Sequence, residues 1–188
     1  SDVCSSDLLI SSEFPVYMSD VNTLGDALEM IRHIGMISGR ELEATRIYQE
    51  VEERFNTWSQ EALHHKPLRI AYLIWNEPWM CAGRQTFIHE MIRWSGLVNV
   101  FGPRDRYPIT DWDEIESLEP DVIALSTEPF PFTDTHRRKL QFRFPHAHCI
   151  VVPGEYFSWY GSRLLETPSY FRRLRSELSS TVSRRKID

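Results

Sequence analysis

Three stretches of this 188-residue chain set carboxylates among clustered aromatic rings. They are Trp75-Asn76-Glu77-Pro78-Trp79-Met80-Cys81-Ala82-Gly83, Ser126-Thr127-Glu128-Pro129-Phe130-Pro131-Phe132, and Pro153-Gly154-Glu155-Tyr156-Phe157-Ser158-Trp159-Tyr160-Gly161-Ser162-Arg163. Aromatic rings supply broad, rigid apolar area, and a carboxylate or guanidinium beside them fixes the polarity and orientation of what they hold. Such a combination suits non-covalent capture of a bulky ligand better than bond-breaking. The competing reading is that Trp75, Phe130, Phe132 and Phe157 are lids on the protein's own core. Repetition of the pattern in three loops favours a cleft.

Catalytic patterns are poor by comparison. Gly83 and Gly96 are isolated, so no glycine-rich phosphate loop or dinucleotide fingerprint occurs. Ser158 lies between Phe157 and Trp159 and lacks the glycines of a nucleophile elbow. His64-His65 close a charged helical pattern and read as solvent-facing. His146 and His148 share one strand face but read as surface residues rather than metal ligands. Glu77, Glu128 and Glu155 leave open an acidic metal site or an acid–base pair. Cys4, Cys81 and Cys149 match neither a metal-ligand spacing nor a disulfide framework. The balance is against an enzyme.

These loops need strands to present them. Leu68-Arg69-Ile70-Ala71-Tyr72-Leu73-Ile74-Trp75 and Val122-Ile123-Ala124-Leu125-Ser126 are the near-continuous apolar runs of strands buried on both faces, and Cys149-Ile150-Val151-Val152 is a third. Helices fall between them. One runs from about Thr86 to Trp94 with Gly96 just past its end. Others start at the caps Asp111, with Glu114 three residues on, and Thr133. Thr167-Pro168 opens a final helix. Val98–Phe101 predicts a short strand. This βα alternation predicts a doubly wound, mostly parallel α/β lobe, in which ligands lie beyond the carboxyl ends of the strands. Each of the three aromatic–acid loops leaves such an end.

Upstream, Phe14–Met18 predicts a short strand. Thr23 with Asp26 caps a helix carrying Leu24, Ala27, Leu28, Ile31 and Ile34, and Gly35 and Gly39 permit a break. Ala44, Ile47, Val51, Phe55, Trp58 and Ala62 then recur at helical spacing from about Glu41 to His64. That helix would be roughly 35 Å long, which suits a connector.

Composition agrees with a folded, non-fibrous protein: 41% of residues are hydrophobic and 26% charged. A net charge of −6 argues against a nucleic-acid partner, and the basic Arg184-Arg185-Lys186 reads as a solvated tail. No apolar stretch approaches the ~20 residues of a membrane span. Asp2 to Leu8 resemble the translation of a sequencing adapter, so the expectation is a foreign Cys4 and an N-terminally truncated chain; no export signal is visible.

With its loops assembled, the sequence resembles the helical-backbone metal receptor group of the periplasmic-binding superfamily, which includes cobalamin and ferric-siderophore receptors. The resemblance runs from Phe14 to about Leu174. It is carried by Phe14–Asp20 with Thr23-Leu24, Ile74–Gly83 with Thr86-Phe87-Ile88, Arg106-Tyr107-Pro108, Glu119–Ile123, Glu128–Phe132 and Gly154–Arg163. It implies two α/β lobes bridged by one rigid helix. The division expected is an adapter scar at 1–8, a remnant of an N-terminal lobe at 9–38, a bridging helix at 39–66, a C-terminal lobe at 67–178 and a tail at 179–188.

The function implied is capture of a metal-containing ligand (cobalamin, haem or a ferric siderophore) as cargo rather than resident cofactor, for delivery to an ABC importer. The ligand-facing set expected is Trp75, Glu77, Trp79, Tyr107, Glu128, Phe130, Glu155, Trp159, Tyr160 and Arg163. Asp113 matches the acidic residue that docks onto a permease subunit; alternatively it merely favours its helix N-terminus. A monomer is expected. The superfamily implies a periplasmic or extracytoplasmic address. A cytoplasmic cobalamin-binding or sensing protein, and an α/β enzyme whose catalytic half is missing, are the competing readings.

Overall fold

The structure, a computed structural model, describes residues 13–185. The expected adapter scar with Cys4, and the side chains of the Arg184-Arg185-Lys186 cluster, lie outside the described residues.

Two helices lead the chain. In α1 (Leu24–Ser38), the Thr23 hydroxyl accepts from the Asp26 N–H at 3.1 Å while the Asp26 carboxylate accepts from the Thr23 N–H at 2.9 Å, closing the expected capping box. Gly35 stays inside this helix, because α2 (Glu41–Ala62) crosses so closely there that a side chain on Gly35 would collide with Ala44 Cβ. Gly39, at φ +67°, supplies the left-handed turn that stops α1. Phe14–Met18 does not form the expected strand. It has no regular structure and no neighbouring strand among the described residues, and Phe14, Val16, Tyr17 and Met18 are exposed. Extended residues need a ladder to become a strand.

From Leu68 the chain builds a five-stranded sheet: β1 (Leu68–Trp75), β2 (Met80–Cys81), β3 (Leu97–Asn99), β4 (Val122–Ser126) and β5 (His148–Val152). β1, β4 and β5 are parallel neighbours; β3 adds in parallel to the start of β1, and β2 folds back antiparallel on its end. Connecting helices are α3 (Phe87–Trp94), α4 (Trp112–Ser117) and α5 (Asp134–Arg143), followed by α6 (Glu155–Ser158), a 3₁₀ turn (Ser162–Leu165) and α7 (Thr167–Arg185). The expected tail from residue 179 is instead helical to Arg185, since the stripe that buries Phe171, Leu174 and Leu178 continues the turn geometry past the lobe's last apolar contact.

Alternation along the buried strands separates two cores. Ile70, Tyr72, Ile74, Val122, Ala124 and Val152 face α1, α2, α3 and α7. Ala71, Leu73, Ile123, Leu125 and Cys149 face α4 and α5, where Ile115, Leu140 and Phe144 complete the layer. The result is the mostly parallel α/β arrangement with helices on both faces that the alternation predicts.

α2 lies along the first face and is clamped there. Arg54 donates to Leu165 O at 2.6 Å, Arg172 grips Glu61 through two bonds of 2.6 and 2.8 Å, and fully buried Arg175 donates to Lys66 O at 2.6 Å. Trp58, also fully buried, donates its indole N–H to Trp94 O at 2.7 Å.

One interior contact makes stability pH-dependent. Asn99 accepts from the Phe101 N–H at 3.0 Å and donates to Ala82 O at 2.8 Å, so its amide nitrogen also faces His89 Nδ1 at 3.1 Å as a donor. That bond needs Nδ1 unprotonated. Burial, reinforced by Arg93 and opposed by Glu90, holds the His89 pKa below the ordinary 6.5. The unfolded chain therefore takes up a proton first. This contribution is intact above pH 6.5 and is lost as pH falls below it. Urea unfolding at about pH 7 and about pH 5 should show a drop that His89→Gln reduces; an equal drop in that variant contradicts the assignment.

Candidate binding wall at the strand ends

Along the sheet the parallel strands run β3-β1-β4-β5, so the chain leaves β1 towards β3 on one side and later returns to β4 on the other. Strand order reverses between β1 and β4, and a crevice must open there, beyond their carboxyl ends. The first two aromatic–acid loops flank this crevice and the third follows β5 beside it.

The loop after β4 is fixed from beneath. Tyr72, buried in β1, donates its hydroxyl to Ser126 Oγ at 3.2 Å, and burial pushes its phenol pKa far up, keeping it a neutral donor. Ser126 Oγ in turn donates to Glu128 O at 2.6 Å. Gly154 fits under this turn with no room for a side chain: a Cβ would strike Ser126 Oγ and lie 2.7 Å from Glu128 Cγ. Its N–H donates to Thr127 Oγ1 at 3.0 Å, tying the third loop to the second.

On this base stands a ring-and-acid surface. The Trp159 indole N–H donates to Glu128 Oε2 at 2.7 Å, and the Ser158 hydroxyl reaches the same oxygen at 3.5 Å. Trp159 is nonetheless 51% exposed, and Trp75, edge-on to Phe130 at 5.8 Å, is 40% exposed. These are large rings whose orientation is set by the protein and whose faces remain open. Tyr160 packs edge-on against Phe87 at 5.4 Å and Tyr107 lies near it. Burial pushes the Tyr107 phenol pKa up, Arg106 pulls it back and Tyr160 adds to the rise.

Other expected contacts lie elsewhere. Trp79 stacks on Phe132 at 5.9 Å and leans on Trp112 at 4.2 Å, so it roofs the second core. Glu77, in the left-handed region at φ +61° before a cis Pro78, lines a groove of about 350 Å³ with Trp79, Trp112, His136, Lys139 and Arg143. The rings of this loop form one chain with those after β4, Trp75 on Phe130, Phe130 on Phe132 and Phe132 on Trp79, with Trp75 at its exposed end. Arg163 lies between Glu155 at 3.3 Å and Glu166 at 2.7 Å, over the Tyr156 ring. Burial alone would lower its pKa, but the two carboxylates outweigh burial and raise it. Glu77, Glu128 and Glu155 do not converge, and no group of three or more potential metal ligands forms among the described residues. Asp113 opens α4 with its side chain 96% exposed, 3.7 Å from Arg143.

Sequence reasoning missed Tyr72, Ser126 and Ser158 as supports and Phe87 as a ring neighbour. Only Gly154, beside two carboxyl-bearing loops, carried a legible signal: a glycine where backbones approach closely.

The fold is a mostly parallel α/β lobe with an exposed ring-and-acid surface at its strand ends. The periplasmic binding protein family model matches residues 5–142, and the chain belongs to that family. Solved structures agree in fold. The periplasmic vitamin B12 binding protein BtuF of Vibrio cholerae superposes with a TM-score of 0.77 at 15% identity, over 91% of this chain and 68% of its own. The periplasmic heme-binding protein RhuT from Roseiflexus gives 0.76 at 16% identity over 95% and 72%. A periplasmic solute-binding protein from Staphylococcus epidermidis gives 0.74 at 18% identity over 92% and 69%. No curated protein matches the chain.

Proposed function

We propose that the chain supplies one wall of an inter-lobe cleft that holds a bulky metal chelate, a corrinoid, haem or ferric siderophore, for delivery to an ABC importer. The observation that carries this reading is the exposed pair Trp75 and Trp159 at the β1/β4 switch point, each ring oriented by its neighbours and open on one face. Phe130, Tyr107 and Tyr160 extend the surface, and Glu128 gives it a polar centre. The BtuF and RhuT structures bind vitamin B12 and heme respectively, ligands whose flat macrocycles suit such a surface. Residues 39–66, with α2 at their centre, act as the rigid bridge and residues 67–178 as the C-terminal lobe; 9–38 is the remnant of the other lobe, although Leu24, Ala27 and Leu28 of α1 seat in the first core of this one. The arginine clamps on α2 favour small closure motions over hinge bending. Asp113 is the docking residue for a permease subunit, and the address is extracytoplasmic.

Absorbance titration with cyanocobalamin, haem and a ferric trihydroxamate tests the reading. At least one should bind with a spectral shift. Trp75→Ala and Trp159→Ala should each weaken that binding by about 1–3 kcal/mol, as loss of an aromatic anchor does, with urea midpoints near that of the unmodified chain. Binding of none of the three ligands contradicts the function, and unfolding by both substitutions makes these rings core lids instead.

A further inference from the structure

The environment of Glu128 restricts the chemistry of the ligand further. Its carboxylate is half-buried, yet no lysine, arginine or histidine forms an ion pair with it among the described residues. Its side-chain partners among the described residues are neutral donors, Trp159 Nε1 and Ser158 Oγ, both on Oε2. Its backbone is pinned through Ser126 and Tyr72, the Gly154 backbone packs close behind its Cγ, and the Trp159 indole holds its Oε2. A partly desolvated carboxylate held in place without a counter-charge attracts hydrogen-bond donors and positive charge, and repels other carboxylates.

Cations near the wall do not cancel it. Arg163 is already shared between Glu155 and Glu166, and Arg84 is paired with Asp105. Arg106 sits beside Tyr107 on a different loop. An anionic substituent is therefore better received near Arg106 than at the crevice centre.

We propose, resting on the ligand-wall reading above, that Glu128 is a specificity-determining residue. It accepts N–H donors or a positive centre from the ligand and discriminates against carboxylate-bearing rims. The favoured cargo is then a chelate whose periphery is amide-like or neutral.

Two pairs of compounds test this with the ring held constant: dicyanocobinamide against dicyanocobyrinic acid, whose amides are replaced by carboxylates, and haem dimethyl ester against haem. Affinities are measured by absorbance titration for the unmodified chain and for Glu128→Gln, which keeps an oxygen to accept from Trp159 and removes the charge. The neutral member of each bound pair should be preferred by about tenfold or more, and Glu128→Gln should cut that preference to about twofold. Equal binding of both members, or a preference unchanged in Glu128→Gln, overturns the inference and leaves the wall standing. Binding of none of the four compounds overturns this inference, and the wall falls with it only if a ferric trihydroxamate also fails to bind.

Discussion

Replacing Gly154 with alanine should lower stability by about 1–3 kcal/mol, the range for overpacking a close contact, and should weaken ligand binding by about tenfold or more. Backbone preference points the other way. Gly154 has φ −61° and ψ −30°, a helical conformation that alanine adopts readily, so on chain entropy alone the substitution would gain about 0.4–1 kcal/mol. The loss is steric. The new methyl would press on Ser126 Oγ, on Glu128 Cγ at 2.7 Å and on the Glu128 N–H at 3.2 Å, all in the turn that places the crevice carboxylate. Trp159, bonded to that carboxylate, would shift with it. Urea unfolding and ligand titration of the same sample read both effects. An alanine variant as stable as the parent, with unchanged affinity, would show that this turn does not position the wall.

Trp58→Ala should have the largest effect on the fold, about 3–5 kcal/mol, the range for removing a buried tryptophan. Trp58 fills the interface between α2 and the first core, and its indole satisfies Trp94 O where α3 ends. Its removal leaves a cavity and an unpartnered carbonyl together. Because α2 is held to the lobe mainly along this face, hydrogen exchange should accelerate in α2 before it does in β1 and β4. A loss below about 1 kcal/mol would mean that the arginine clamps, rather than apolar packing, hold the helix.

Much of this architecture was readable because each signal was local. β1 and β4 are buried on both faces, so their apolar runs needed no partner to be recognised. Thr23 and Asp111 cap helices because a short side chain satisfies an N–H three residues away. What failed depended on contacts distant in sequence. Phe14–Met18 has strand-forming residues but no ladder to join among the described residues. α7 runs on through Ser179 and Ser180, which sequence alone reads as tail, because Leu178 still finds a buried place.

The site divides in the same way. Trp75 and Trp79 share one loop and one residue type, yet Trp75 stays exposed beside Phe130 while Trp79 is closed in between Phe132 and Trp112. No composition argument could separate them. Likewise Tyr72, Ser126 and Ser158 support Glu128 only because three strands align their ends.

The different exposure of the tryptophans provides the most direct test of the wall. The chain has six tryptophans, and indole N–H resonances can be followed individually by NMR during titration with cyanocobalamin, haem or a ferric trihydroxamate. Bound ligand should shift the Trp75 and Trp159 signals, while Trp58, bonded to Trp94 O inside the first core, stays in place. Shifts confined to Trp79 and Trp112, with Trp75 and Trp159 unmoved, would contradict this expectation and move the binding surface to the groove between α4 and α5.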